Sequence, residues 1–337
     1  MKLRGADVVA RTLARAGTRH LFALSGNHVM PVFDAALDAK LEIVHVRHEA
    51  AAVHMADAWG RLTSEPGVAL VTGGPGHANA VGALYTALAA ESPLVLLSGH
   101  APLAELGKGA FQEMRQAEMA APVAKASWTV RSAGTLGSDI ALALRMASSG
   151  RPGPVHVSLP SDLLEAEASE FPFAEDSAKA APADCDALLD SLAKASRPLV
   201  LAGPRHARAP AALAASSFER ASGIPVIAME SPRGVNDPAL GLFGDILARA
   251  DTVVLAGKAI DFMLKFGAVF SASCQLIETE PDFSAWSEAV SRRNRPRSRW
   301  REEVRAALAW RPAEWTKIAS KEEEKADLLV KDTTVSL

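Results

Sequence analysis

The chain has 337 residues, enough for two domains with hydrophobic cores, and a net charge of -3 that offers no basic surface for nucleic acid. No run of about 18 apolar residues could span a membrane. The N-terminus holds no apolar stretch of signal-peptide length, so the chain reads as soluble and cytoplasmic. Two cysteines, Cys185 and Cys274, are too few for a disulfide framework and too isolated for a zinc site, and both read as small buried residues.

Val8, Val9, Thr12 and Leu13 recur at helical spacing within residues 5–16, and Gly17 ends that helix. His20 to Leu24 is a short apolar run, after which Ser25-Gly26-Asn27-His28 turns the chain. Pro31 sits in the first turn of the next helix. Leu41–Val46 is a strand, Glu49–Leu62 a helix and Val68–Thr72 a strand. Gly73-Gly74-Pro75-Gly76 then turns into a helix from Asn79 to Ala90, and Pro93–Ser98 is a buried strand. Val155–Leu159 closes the unit. Strands and helices in alternation predict a three-layer α/β/α domain with a mainly parallel sheet.

Residues 166–184, rich in Ala, Glu, Asp and Pro, read as a linker between a first domain at 1–165 and a second at 185–310. The second is also α/β and Rossmann-like, with strands Pro198–Ala202, Ile224–Ala228, Thr252–Ala256 and Gln275–Ile277 and helices Pro210–Ala221 and Asp261–Phe270. Beyond Pro281 the pattern weakens. Arg292, Arg293, Arg295, Arg297, Arg299 and Arg301 read as a solvated basic segment, with a phosphate strip as the alternative. Residues 311–337 read as a tail, with charge runs from Ser320 onward.

The Gly turn, Gly74-x-Gly76-x-x-Asn79 between strand and helix, is close to a dinucleotide fingerprint. A nicotinamide site would want an acid at the end of the next strand, which instead ends Leu97-Ser98-Gly99-His100. The turn therefore either serves another ligand or is only a tight connection. Glu49 opens a helix among Ala50, Ala51, Ala52 and Val53; it either offsets the helix dipole at the surface or is a buried carboxylate with a task. His28, His77 and His100 read as surface histidines, with a ligand role as the alternative for His28, since it follows the first strand. No histidine or cysteine pair has metal-ligand spacing, and no nucleophile elbow or Walker A sequence is present. Phe111-Gln112-Glu113 lies in an aperiodic stretch that could cover a pocket.

Taken together, Arg47-His48-Glu49-Ala50-Ala51-Ala52 with Ala56-Asp57-Ala58, Thr72-Gly73-Gly74-Pro75-Gly76 with Asn79, Phe111-Gln112-Glu113, and Gly153-Pro154-Val155 with Leu159-Pro160-Ser161-Asp162 resemble the acetolactate synthase-like thiamine diphosphate enzymes. That group includes acetolactate synthases, benzaldehyde lyase, oxalyl-CoA decarboxylase and 2-hydroxyacyl-CoA lyases. The likeness covers roughly residues 3–165 and continues through 185–282, where Ser196–Gly203 and Ser222–Val226 look like the family's middle domain. It implies that Glu49 hydrogen-bonds the cofactor's aminopyrimidine and so helps its amino group deprotonate the thiazolium. It further implies that Gly26, Gly74, Pro75 and Asn79 line the cofactor, and that Phe111 and Gln112 line the substrate side. Gln112 and His28 join Glu49 as catalytic residues in this resemblance, His28 standing where the lyase branch relays protons.

The family also carries a Gly-Asp-Gly motif, followed later by an Asn, that anchors the diphosphate through Mg²⁺. The nearest candidate, Gly244-Asp245-Ile246, lacks the second Gly and has no Asn after it before Asn294. The expectation is a chain with the pyrimidine-binding and middle domains only, no metal ligands of its own, and no activity by itself. It would be truncated, or one part of a split enzyme completed by a diphosphate-binding subunit; a non-enzymatic remnant is the third reading. The resemblance also implies self-association, FAD or another nucleotide in the middle domain near Gly257-Lys258, Asp261 and Glu280, and a 2-oxo acid, aldehyde or 2-hydroxyacyl-CoA substrate.

Overall fold

The computed structural model describes residues 3–172, 185–291 and 299–310. They divide into two compact units, Met1–Ala181 with Pro204–Ala212, and Pro182–Gly203 with Leu213–Leu337.

The first unit runs β1 (Leu3–Arg4), α1 (Gly5–Arg15), β2 (His20–Ala23), α2 (Met30–Asp38), β3 (Glu42–His45), α3 (Glu49–Thr63), β4 (Gly67–Val71), α4 (Pro75–Ala89) and β5 (Leu94–His100). It continues with α5 (Gln116–Ala120), β6 (Ala126–Thr129), α6 (Leu136–Ser148), β7 (Pro154–Pro160), α7 (Ser161–Glu165) and β8 (Glu167–Ala168). Six strands form one parallel sheet in the order β3-β2-β4-β5-β7-β6. Every residue of β4, β5 and β7 is buried, which explains their unbroken apolar runs. Alternate strand residues serve opposite faces. Leu21, Leu70, Val95 and Leu97 join α1, α2 and α6 in one core, while Phe22, Ala69, Val71, Leu94 and Leu96 join α3 and α4 in another.

The second unit contains α8 (Asp186–Lys194), β9 (Pro198–Ala202), α9 (Ala211–Ser222), β10 (Val226–Ala228), α10 (Phe243–Arg249), β11 (Thr252–Ala256), β12 (Gln275–Thr279), α11 (Phe283–Ser291) and α12 (Arg299–Ala309), although the first two residues of α9 group with the first unit. Its four strands are parallel in the order β10-β9-β11-β12. The chain order reverses between β9 and β11, so the ligand crevice of such a sheet lies beyond their C-terminal ends.

Several expectations change. The helix after the Gly turn begins at Pro75, not Asn79, because proline suits a first helical position whose N–H would be unpaired anyway. Between Ser98 and Val155 the sequence suggested no regular element, yet α5, β6 and α6 lie there, and β6 flanks β7 at the sheet edge. Residues 167–168 of the expected linker form β8, antiparallel to β1. In place of a helix over Asp261–Phe270 there is a 3-10 turn at Phe262–Gly267, in which Lys265 and Phe266 are left-handed. The Phe266 N–H reaches back to the Asp261 carbonyl and closes the turn instead of extending it. Order persists beyond Pro281 in α11 and α12. Both cysteines are half-buried, not buried. Arg301 lies within α12 and pairs with buried Glu219 at 3.0 Å, so it serves packing. Arg292, Arg293, Arg295 and Arg297, residues 173–184 and the tail from 311 lie outside the described residues. Among the described residues no helix is long and apolar enough to cross a membrane.

Candidate cofactor site at the C-terminal edge of the first sheet

The loops after β2, β3, β4 and β5 all leave the same edge of the parallel sheet, the edge at which α/β folds bind ligands. Glu49 is the first residue of α3, and the helix is capped by His48, whose Nδ1 accepts the Ala50 N–H at 3.1 Å. Glu49 is 9% exposed, so it is not the surface dipole partner of the plainer reading. Asn79, one turn into α4, donates its Nδ2 to Glu49 Oε2 at 3.0 Å. Oε1 has no hydrogen-bond partner among the described residues, and it faces Gly76: a Cβ there would come within 3.3 Å of it.

The Gly turn is shaped by contacts on both sides. Gly74 has φ +60°, and a Cβ on it would lie 2.6 Å from the Gln112 carbonyl oxygen, so only glycine fits. Its N–H, which a dinucleotide cradle would offer to phosphate, is already taken by Gln116 Oε1 at 2.8 Å. The Gly74 N–H is therefore not free for a phosphate, which weakens the nicotinamide reading. Gln116 is fully buried, and its Nε2 also donates to the Gly99 carbonyl and Ser158 Oγ, each at 3.0 Å. Sequence reasoning missed it. A polar residue at the end of an aperiodic stretch carries no signal of burial.

Thr72 joins the parts. A Cβ on Gly26 would lie 2.4 Å from its Cβ, a Cβ on Gly76 would lie 2.7 Å from its Cγ2, and its Oγ1 is 3.3 Å from His28 Nδ1. His28 is 3% exposed, packs against Gly99 and stacks on the Phe111 ring at 5.9 Å. Burial lowers its pKa, partly offset by a hydrogen bond to the Phe111 backbone. Phe111 itself is 66% exposed. Gln112 is half-buried at φ +55°, with its backbone against Gly74. The structure thus brings Gly26, His28 and Phe111 together on one side of Thr72, and Glu49, Gly76 and Asn79 on the other.

Below the site, His77 Nδ1 lies 2.9 Å from Ser98 Oγ, the His77 and His156 rings are 4.5 Å apart, and His156 Nδ1 is 2.7 Å from Ser127 Oγ. Burial pushes the His77 pKa down to about 4 and that of His156 well below its usual range. His28, His77 and His100 are all buried, which overturns the expectation that they sit at the surface. His100 ends β5, His77 lies in the first turn of α4, and His28 lies in a 3-10 turn at Asn27–Val29 ahead of α2.

The residues present suit one end of thiamine diphosphate. A carboxylate with one oxygen held by Asn79 and the other open towards Gly76 can accept a hydrogen bond from a ring nitrogen. Among the described residues no group of three or more His, Cys, Asp or Glu side chains could hold a metal ion.

A family model described as the thiamine pyrophosphate enzyme N-terminal TPP binding domain matches residues 3–119, the span that carries Gly26, His28, Glu49, the Gly turn and Gln112. An acetolactate synthase large subunit from Mycobacterium tuberculosis is 34% identical over 283 residues, covering 80% of this chain and 51% of the relative. A 2-hydroxyacyl-CoA lyase 2 from Bos taurus is 31% identical over 329 residues, covering 82% and 51%. An acetolactate synthase isozyme 3 large subunit from Escherichia coli is 41% identical over 172 residues, covering 51% and 30%. The chain spans about half the length, or less, of these relatives. Residues 3–119 thus carry the N-terminal TPP binding domain of the thiamine pyrophosphate enzymes, and the chain is similar over most of its length to acetolactate synthase-like thiamine diphosphate enzymes.

Proposed function

We propose that these residues hold the aminopyrimidine side of thiamine diphosphate in an enzyme that makes or breaks carbon–carbon bonds, or decarboxylates, beside a carbonyl. The observation that carries this reading is the Asn79–Glu49 hydrogen bond beside Gly76. The cofactor supplies an electron sink for the substrate carbon when bound. Asn79 holds one Glu49 oxygen and so aims the other at a ring N–H. Gly74 and Pro75 give the pyrimidine a wall without side-chain bulk, and Gly26 keeps the β2 loop close to Thr72. His28, Phe111 and Gln112 face the substrate, and His28 is the group able to move a proton there.

The diphosphate and Mg²⁺ would be held by residues other than those described, on a further domain or a second subunit. One face of the first unit favours that arrangement. Met55 and Leu62 on α3 are 38% and 82% exposed, and Tyr85 on α4 is 60% exposed. They lie on the same two helices as Glu49 and Asn79, and a partner seated there would border the site. In the second unit, the crevice beyond β9 and β11 suits a nucleotide: Gly257 turns there at φ +66°, and the buried Lys258 ammonium is paired with Asp261 at 2.6 Å. No feature among the described residues singles out a flavin over another nucleotide. Substrates that fit this chemistry are 2-oxo acids, aldehydes and 2-hydroxyacyl-CoA thioesters.

Calorimetry tests the reading. The free pyrimidine alcohol of thiamine should bind the chain weakly, and Glu49→Gln should weaken it about tenfold, as expected for loss of a charge-assisted hydrogen bond. Thiamine diphosphate with Mg²⁺ should bind no better than the pyrimidine. Micromolar binding of that pair by this chain alone would overturn the half-site assignment, and an unchanged affinity in Glu49→Gln would remove Glu49 from it.

A further inference from the structure

At the edge of the first sheet opposite the Gly turn lies a cavity of about 300 Å³, the small end of the range for small-molecule sites. It opens where β2 and β4 begin, at His20 and Gly67, beside the ends of α1 and α6 at Gly17 and Ser148. The function proposed above leaves it without a task.

The lining divides by chemistry. Buried Leu144 and half-buried Trp59 and Pro66 make an apolar side. Thr18, Arg145 and Ser148 make a polar one. The other ionisable groups that line the cavity are already engaged. Arg19 holds its guanidinium over the Trp59 ring at 5.5 Å and lies 3.6 Å from Glu65, and His20 Nε2 is 3.1 Å from Glu42. By contrast, the Arg145 guanidinium and the Thr18 and Ser148 hydroxyls have no hydrogen-bond or ion-pair partner among the described residues. The cavity thus offers an unpaired cation and two free hydroxyls, while its acid, Glu65, is spent on Arg19.

Helix C-termini repel anions, and two helices end here. Most of that repulsion is answered locally. The last carbonyls of α1, at Thr12, Leu13 and Ala14, accept the N–H groups of Ala16, Thr18 and Gly17. At the end of α6, the Met146 and Ser149 carbonyls take the Lys125 ammonium, which offsets the dipole close to Arg145. A dianion would feel the remainder twice over and would leave the apolar side unused. A single negative charge on an apolar body uses both sides. A carboxylate meets the guanidinium fork with both oxygens, and the body covers Trp59 and Leu144.

We propose that this cavity binds a small apolar carboxylate, held by Arg145 and seated on Trp59 and Leu144, at a site separate from the cofactor site. The proposal does not rest on the function proposed above.

The test uses the full chain with benzoate and its neutral isostere benzamide, followed by calorimetry. Benzoate should bind about tenfold better, as a charge-assisted pair requires. Arg145→Gln should remove that preference, and Ser148→Trp, which fills the polar side, should remove binding of both. Both positions are exposed, so neither change threatens the fold. In ¹H–¹⁵N spectra of the unmodified protein, benzoate should move the Gly17, Thr18 and Gly67 signals and leave those of Gly74 and Gly76 in place. Inorganic phosphate and the pyrimidine alcohol should not displace it. Equal binding of the two probes, a preference that survives in Arg145→Gln, or unmoved signals at Gly17, Thr18 and Gly67 would each overturn the assignment. Displacement by phosphate would reduce the cavity to a simple anion site, and displacement by the pyrimidine alcohol would move benzoate to the cofactor site; either overturns the proposal. Selective benzoate binding without pyrimidine binding keeps this site and removes the cofactor reading, and the opposite result removes this site alone.

Discussion

Gln116 connects three strands of the site through one side chain: the turn after β4 at Gly74, the end of β5 at Gly99, and β7 at Ser158. All three bonds are buried, so removing the amide strands their partners. Gln116→Leu should therefore destabilise the first unit by about 2–4 kcal/mol, more than a typical surface change. Urea denaturation of the variant measures this, and a loss under about 1 kcal/mol would show that the Gly turn holds itself. The histidines below the turn give a second residue-scale expectation. His77 and His156 are neutral in the folded protein at pH 7, because burial depresses both. Once unfolded, each titrates near the ordinary 6.5. As pH falls below about 6.5 the unfolded chain takes up protons that the folded chain refuses, and stability drops until His77 itself titrates at about 4. Above 6.5 neither state gains a proton from this source and the effect vanishes. Each histidine contributes up to about 1.4 kcal/mol per pH unit within that window. Urea midpoints at pH 7, 6 and 5 should fall in that order, and a flat series would mean that the pair is not buried neutral.

At the scale of elements, packing rests on close backbone approach. A Cβ on Gly67, at the start of β4, would lie 2.0 Å from the Ala56 carbonyl oxygen of α3. No flexible side chain can yield there. Gly67→Ala should push α3 off the sheet, cost about 2–4 kcal/mol, and displace Glu49 from Asn79. The expected signature is a lowered midpoint together with weaker pyrimidine binding; a fully stable variant would contradict the approach. These elements were legible in the sequence wherever apolar runs were bounded by Gly or Pro. Strands at 20–23, 67–71, 198–202 and 252–256 fall within a residue or two of where the pattern puts them. The pattern failed where tertiary contacts, not periodicity, define an element. The half-buried edge strand β6 carries Ser127, which bonds His156, and α5 has only five residues. The same divide runs through the site. Glu49, Asn79 and the glycines stood out because small residues around a carboxylate and a turn are unusual. Gln116 and Thr72 did not, because each depends on neighbours 17 or more positions away: Gln116 on Gly99, and Thr72 on Gly26 and His28.

At the scale of the molecule, the exposed apolar side chains on α3 and α4 give the partner proposed for the cofactor site a surface to test. Leu62 at 82% and Tyr85 at 60% exposure present apolar surface that a solvated helix pair would replace with charge. Ala51, Met55 and Ala58 continue the α3 stripe at helical spacing, back towards Glu49. If this face receives the partner that completes the cofactor site, it should remain sticky when that partner is missing, and the nearest surface of matching chemistry is a second copy of itself. Leu62→Lys with Tyr85→Lys should then abolish self-association at micromolar concentration in sedimentation velocity. Because both side chains are exposed, the pair should shift unfolding by no more than about 0.5 kcal/mol each. Glu49 and Asn79 are untouched, so weak pyrimidine binding should persist in the monomer. Sedimentation identical to wild type would leave the face without a partner, and the completion of the site would have to be sought on another surface.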